Sequence, residues 1–160
     1  MEEIEEYLKL TSNYKDDYIN NNTSLGLDQI TSKGLYDGVC YDVDIVLTSL
    51  NISPSKRGYK YWKDAVFLNL ILSEKEPSIC NDIYPAIAKK YNKTPMAVER
   101  AMRICFENVM YYLSKSTANI VSDYLKSSLL YPHNGEILIK ITKLISSKEF
   151  QKNKNSRFNI

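Results

Sequence analysis

The sequence is short of the residues from which most catalytic and metal sites are built. Its 160 residues include one histidine, His133, and three cysteines, Cys40, Cys80 and Cys105, without a Cys-x-x-Cys spacing. It also lacks a glycine-rich phosphate loop and a metalloprotease motif. A zinc site, a disulfide framework and a Ser/His/Asp or Cys/His set are therefore not expected. We predict no enzyme, metal or cofactor, a loop or capping role for His133, and cysteines that act as small buried hydrophobes.

Long apolar runs are missing as well, which excludes a membrane-spanning class. No run approaches the roughly 20 residues that cross a bilayer. The first six residues carry four glutamates, whereas a secretory signal begins with basic and then apolar residues. Together with the odd number of cysteines, this favours a cytoplasmic protein. Convincing strand patterns are also lacking, since the β-branched stretch at 39–46 has no partner.

The net charge of +2 conceals an asymmetry along the chain. Residues 1–37 hold 8 acidic and 3 basic residues, a net charge of −5, and residues 38–160 hold 11 acidic and 18 basic residues, a net charge of +7. The turn-forming run at 20–24 and three of the five glycines lie in or beside the acidic part. We predict an acidic segment or linker over 1–37, a basic domain over 38–148 and a polar tail over 149–160. A basic domain is compatible with a polyanionic partner.

Helical periodicity dominates the chain from Tyr41 onwards. Apolar residues recur there at three-to-four spacing in six segments with short connections. The predicted helices cover Tyr41–Asn51, Gly58–Leu72, Asp82–Tyr91, Thr94–Leu113, Thr117–Leu130 and Asn134–Ile145. This pattern predicts an all-α, compact six-helix domain. A short amphipathic helix carrying Ile4, Tyr7 and Leu8 is expected in the acidic segment.

A helix-turn-helix is predicted over about 82–113. The third and fourth predicted helices are joined only by Asn92-Lys93-Thr94, and so short a turn forces the two axes to cross steeply. Thr94 is a good N-cap, and Pro95 fits the first helical position. The second helix of such a pair lies in the DNA major groove and offers its N-terminal residues to base edges.

Charged residues stand at the positions of this helix from which bases would be read. Arg100 and Arg103 share a face, and an arginine fork matches the acceptors of guanine. Glu99 could accept a hydrogen bond from cytosine. Glu99, Arg100 and Arg103 are therefore the candidate base contacts. The same Glu99 and Arg103 also form an i,i+4 pair of the kind found on any solvated helix, and this alternative stays open.

Basic residues on the preceding helix and turn, and around the start of the second predicted helix, could meet phosphates. The candidate phosphate contacts are Lys56, Arg57, Lys60, Lys89, Lys90, Lys93 and Thr94.

Four segments of the sequence resemble one known family. They are Ile83–Thr94, Val98–Arg103, Gly58–Tyr61 and Pro132–Glu136. These segments are similar to the effector domain of the stage-zero sporulation protein A family, and the resemblance covers about Tyr41–Ser147. It implies a six-helix domain that binds a short DNA box, often as tandem copies, with Glu99, Arg100 and Arg103 at the positions that read the box.

The sequence departs from the family in three places. The family usually has a serine-arginine pair where this chain has Met96-Ala97, and often a histidine at Ile104. The stretch Met110–Ser122, whose counterpart in the family faces RNA polymerase, has no clear match. In addition, 37 residues are too few for the receiver domain that precedes the family's effector domain.

These features together predict a sequence-specific DNA-binding transcriptional regulator that its own receiver phosphorylation does not control. Double-stranded DNA is the expected partner, with RNA polymerase, a full-length regulator or a second copy on tandem boxes as further candidates. The alternative is a protein-interaction module that modulates a full-length regulator or RNA polymerase without reading DNA. Two further hypotheses concern the acidic segment: it folds back on the basic face and competes with DNA, because opposite charges attract, or it docks a partner.

Overall fold

A computed structural model describes residues 2–12, 27–107, 109 and 133–157. The described part is built from α-helices and contains no strand, which confirms the predicted all-α fold. Its α-helices are α1 Glu2–Ser12, α2 Leu27–Ser49, α3 Arg57–Ile71, α4 Tyr84–Tyr91, α5 Pro95–Phe106, α6 Asn134–Ser146 and α7 Lys148–Arg157. A 3-10 turn at Ser73–Lys75 and a π-helical turn at Ile79–Ile83 link α3 to α4. The helix predicted over 117–130, and the end predicted for the fourth helix at Leu113, lie outside the described residues.

Helix α3 is the centre of the core. Its buried residues include Tyr59, Trp62, Val66 and Leu68, and it packs against α2, α4, α5 and α6. Such a wide apolar stripe is what a helix needs when neighbours cover it on several sides. Among the described helices, none is both long enough and apolar enough to cross a bilayer.

Gly58 lets the start of α3 touch the backbone of α5. A Cβ atom at this position would lie 2.1 Å from the carbonyl oxygen of Ala101 and 2.8 Å from the sulfur of Cys105. Any side chain here would collide with main-chain atoms, which cannot move aside as the end of a flexible side chain can. The glycine therefore determines how closely α3 and α5 approach each other.

The N-terminal part of the chain belongs to the domain, contrary to the expected boundary after residue 37. Helix α2 continues through that boundary without a break. In α1, Tyr7 is fully buried and its ring lies 6.1 Å from that of Phe67, centroid to centroid. Glu3 also pairs with Lys75, with 2.6 Å between Oε1 and Nζ. The core therefore covers the short apolar face of α1, so this helix is part of the domain and not a separate segment. Residues 13–26, which include the asparagine-rich run, lie outside the described part.

The expected polar tail also contains a packed helix. Phe150 of α7 is buried, and Lys154 Nζ lies 3.0 Å from Asp42 Oδ1 on α2. Gln151 donates a second hydrogen bond to the same carboxylate, over 2.9 Å. The burial of Phe150 and the polar contacts with Asp42 thus hold a segment whose composition alone indicates a solvated end.

The cysteines differ from one another in burial. Cys105 is buried as expected, Cys40 is half-buried, and Cys80 is exposed, which corrects the prediction for Cys80. Burial raises the pKa of the Cys40 and Cys105 thiols to about 11, so both are neutral near pH 7.

We predict that Gly58→Ala lowers the free energy of unfolding by about 1–3 kcal/mol or more, because its methyl group collides with the α5 backbone. Gly38→Ala is the matched control, since a Cβ at Gly38 in α2 meets nothing within 4 Å. That substitution should raise stability by about 0.5–1 kcal/mol, as alanine is the better helix former. Urea unfolding of both variants measures the difference, and equal effects would contradict the close approach.

Candidate nucleic-acid interface

The connection between α4 and α5 is a tight turn with a hydrogen bond at each end. Asn92 adopts the left-handed conformation, with φ 52° and ψ 52°, and the N–H of Lys93 donates to the carbonyl of Ala88 over 2.9 Å. This is the closing bond of a Schellman motif, in which asparagine is tolerated. The hydroxyl of Thr94 then accepts from the N–H of Ala97 over 3.2 Å, and Pro95 begins α5. The predicted N-cap and turn are thus found where the sequence indicated them.

Helix α5 has one buried and one exposed face. Its buried residues are Val98, Met102, Cys105 and Phe106. The opposite face is open to solvent and mixes charged with apolar side chains. It carries Met96, Ala97, Arg100, Arg103 and Ile104, and the exposed Glu107 follows at the C-cap. The helix therefore presents a face of mixed charged and apolar side chains to solvent, while its other face anchors it in the core.

Three neighbours hold the backbone of α5 in place. Gly58 of α3 lies against it, and the indole N–H of Trp62 donates to the carbonyl of Met102 over 3.0 Å. From α6, the buried side-chain amide of Asn134 donates to the carbonyl of Glu99 and to the hydroxyl of Tyr84, both over 3.0 Å. Contacts from α3 and α6 therefore determine the direction in which the exposed side chains of α5 point.

The bridging role of Asn134 has no local signal in the sequence. The sequence does predict that a helix begins near Asn134, and α6 begins there. An N-terminal asparagine suggests a cap, but its amide instead spans to another helix. Its neighbour His133 occupies the N-cap position of α6, but its side chain forms no capping hydrogen bond. His133 Nε2 lies 3.3 Å from Glu136 Oε1.

The predicted base contacts lie together on the exposed side of α5. Arg103 Nε donates to Glu99 Oε1 over 3.1 Å, so the i,i+4 ion pair that the spacing allows is formed. This bond uses one of the five N–H donors of the guanidinium. Arg100 is exposed, and no carboxylate of the described residues pairs with it.

Most of the predicted phosphate contacts are accessible. Arg57, Lys60, Lys89, Lys93 and Thr94 are exposed, and Lys56 is half-buried. Lys60 Nζ lies 4.6 Å from the ring centroid of Tyr91, which places this ammonium beside the end of α4. The cations thus come from the start of α3, the end of α4 and the turn, which are the elements that flank α5.

Lys90 requires a correction, because its ammonium points into the domain. Lys90 Nζ lies 3.0 Å from Asp64 Oδ2, and the two side chains are 9% and 0% exposed. The rings of Tyr7, Tyr36 and Tyr91 surround it at centroid distances of 4.9–5.3 Å. Lys90 shares the inner face of α4 with Ile87 and continues the three-to-four spacing that starts at Ile83 in the π-helical turn, so it cannot reach a phosphate on the outside.

Asp64 is the centre of a buried polar cluster, which we define as Asp64, Lys90, Tyr36 and Tyr91. Its carboxylate accepts hydrogen bonds from the hydroxyls of Tyr36 and Tyr91 and from the Lys90 ammonium. Burial, together with the negative charge of Asp64, holds the pKa of both tyrosines well above the usual range. Both hydroxyls are therefore protonated donors near pH 7. In the sequence, the sign of this cluster is Asp64, an aspartate among the apolar residues that form the buried stripe of α3.

Two helices joined by a tight turn, the second with arginines on its exposed face, packed within an all-α domain, define a helix-turn-helix protein. The family model described as "Sporulation initiation factor Spo0A C terminal" matches residues 43–145, and the chain belongs to this family. The resemblance noted in the sequence is thereby confirmed, and it makes the domain a DNA-binding effector domain of the sporulation-regulator type. No match to the chain was found among solved structures.

We predict that the two neighbouring lysines of α4 differ strongly in their contribution to stability. Lys90→Met leaves the buried Asp64 carboxylate without its cation and should lower the free energy of unfolding by about 3–5 kcal/mol. Lys89→Met, on the exposed side, should change it by less than about 0.5 kcal/mol. Urea unfolding measures both variants, and adding Asp64→Asn to Lys90→Met should recover part of the loss. A stable Lys90→Met protein would speak against the cluster.

Proposed function

We propose that this chain is a sequence-specific DNA-binding transcriptional regulator whose helix α5 lies in the major groove. The proposal rests on Arg100, which lies on the exposed face of α5 and has no ion-pair partner among the described residues. Its fork of donors is free to bind the O6 and N7 acceptors of a guanine. The tight turn and the bonds from Trp62 and Asn134 hold the backbone that aims it.

Arg103 and Glu99 act as a pair in this proposal. Glu99 holds the Nε of Arg103, which leaves the terminal amino groups of the guanidinium for a second base. The resemblance to the family assigns base reading to the same positions. Arg103 can therefore keep its ion pair with Glu99 and still bind a base, since one carboxylate does not use all the donors of an arginine.

The flanking cations provide the sequence-independent part of binding. Arg57 and Lys60 on α3, and Lys89 and Lys93 around the end of α4, are exposed. Lys56 and the Thr94 hydroxyl complete the set of proposed phosphate contacts. Lys90 is removed from it because its charge is neutralised by Asp64.

One observation favours a protein-interaction module instead. Met96 is 82% exposed and Ile104 is 39% exposed on the same face of α5, and apolar side chains suit a protein partner such as RNA polymerase or a full-length regulator. Salt dependence separates the two functions. A protein that neutralises several phosphates loses DNA affinity steeply as salt rises, whereas an interaction module need not bind DNA.

We further propose that DNA binding by this chain does not require a phosphorylated receiver. The described residues ahead of the matched region form α1 and the part of α2 that precedes residue 43, and Tyr7 and Tyr36 from these helices contact the core and the buried polar cluster. They therefore support the DNA-binding domain itself. DNA binding as a pair on tandem boxes remains part of the proposal, since each copy would place one α5 in the groove.

We expect Arg100→Ala to lower affinity for the preferred box by about 10- to 100-fold and to leave affinity for random DNA nearly unchanged. A lost bidentate contact costs about 1–3 kcal/mol at one base pair. Lys93→Ala is the contrasting variant and should weaken binding to both DNAs alike, with the salt slope reduced by about one. Fluorescence anisotropy titrations at several salt concentrations measure both. Equal losses on both DNAs for Arg100→Ala would show a phosphate contact.

The hypothesis of an inhibitory acidic segment predicts tighter DNA binding when the segment is removed. We expect instead that a protein starting at Asp37 unfolds easily, because it lacks the core residue Tyr7 and the Tyr36 hydroxyl that binds Asp64. Loss of one large aromatic side chain from a core costs about 3–5 kcal/mol. Thermal unfolding of the truncated protein measures this expectation.

A charge-only variant separates electrostatic inhibition from loss of the core. Glu2, Glu5 and Glu6 are exposed on α1, so changing all three to glutamine preserves the packing of Tyr7. We expect DNA affinity at low salt to change by less than about twofold, since none of the three is needed for the fold. A severalfold gain that disappears at high salt would instead support inhibition by the acidic segment.

A further inference from the structure

The exposed face of α5 is apolar at its N-terminal end. Met96 is 82% exposed, more than any other large hydrophobic residue in the described part of the chain. Ala97 beside it is exposed as well. These two residues occupy the part of the helix that enters deepest into a major groove, where a polar pair would usually form hydrogen bonds to bases.

The position of Met96 relative to Arg100 is well determined. Thr94 caps the helix and Pro95 begins it, so Met96 lies in the first turn, four residues before Arg100 and on the same face. Four residues correspond to about 6 Å along the helix axis. Base pairs are stacked about 3.4 Å apart. An Arg100 that binds one guanine therefore places Met96 over a base edge one or two pairs away.

Among the chemical groups exposed in the DNA major groove, one suits the side chain of Met96. Each base edge presents hydrogen-bond donors and acceptors, and thymine adds an apolar C5-methyl group. A methionine thioether has no donor and is a weak acceptor, so it cannot read the polar groups. Its flexible and polarisable chain is suited to an irregular apolar contact.

We propose that Met96, with Ala97 beside it, selects a thymine in the DNA box through the C5-methyl group, one or two base pairs from the guanine bound by Arg100. The proposal rests on the DNA-binding function proposed above and specifies it. Met96 is a specificity-determining residue in this view, and the box contains a position where an apolar contact replaces a hydrogen bond.

The test uses the full 160-residue protein and removes single methyl groups from the DNA. A box is first selected from random double-stranded DNA, and each of its thymines is then replaced in turn by deoxyuridine, which pairs identically and lacks only the methyl group. We expect about fourfold weaker binding at one thymine, the effect of one buried methyl group.

Three variants show whether Met96 is responsible. Met96→Gln should bind the thymine and uracil boxes equally, whereas Met96→Leu, which keeps an apolar side chain, should still prefer thymine. Leu35→Gln removes a 54% exposed apolar side chain from α2 and should discriminate like the unchanged protein. Because Met96 is so exposed, we expect all Met96 variants to fold, and thermal unfolding verifies this.

The outcomes separate this inference from the function on which it rests. A selected box without any uracil-sensitive thymine would overturn the inference and leave sequence-specific binding intact. The same would follow if Met96→Gln kept the full preference for thymine, as expected if Met96 served a protein partner. If the protein selected no box at all, the proposed function itself would fail and the inference with it.

Discussion

The buried pair of Asp64 and Lys90 is the interaction on which the arrangement of the helices depends. A carboxylate that is 0% exposed is tolerable only when it is fully hydrogen-bonded, and three donors from two other helices meet this need. The cluster ties α2 and α4 to α3, and the ring of Tyr7 on α1 adds a cation–π contact with Lys90. The contact between Asp64 and Lys90 therefore orients α4, the first helix of the helix-turn-helix. A different packing of α4 would leave one of the two charges buried without its partner.

The orientation of α5 follows from a second set of constraints that acts on its backbone. Gly58 sets the distance to α3, while Trp62 and Asn134 each donate a hydrogen bond to a carbonyl of the helix. None of these contacts uses the exposed side chains. The exposed side chains of α5, Met96 and Ala97 among them, can therefore vary in sequence while the direction of the helix stays the same.

The parts of the site that could be predicted are those that depend on neighbours in the chain. The turn at Asn92, the cap at Thr94 and the exposure of Arg100 follow from local propensity and helical spacing. Lys90 could not be placed in this way. Its own helix indicates an inner position, but its partner Asp64 is 26 residues away, and a lysine at the end of a helix usually favours solvent. Composition was misleading for α1 and α7 too, because a few apolar residues, among them the buried Tyr7 and Phe150, hold these helices on the core in spite of the polar residues around them.

The all-α fold class, the family and the bounds of α3, α4 and α6 to within two residues could be predicted from the sequence, because periodicity, caps and the segment Ile83–Arg103 are local properties of the chain. The tertiary structure alone decided which charges face outward and where the domain begins. It separated Lys89 from Lys90, which composition cannot distinguish, and it joined the acidic N-terminal part to the core. The physical reason is that burial depends on what packs opposite a residue. For Lys90 the opposing groups come from α1, α2 and α3, and their coming together is a consequence of the whole fold.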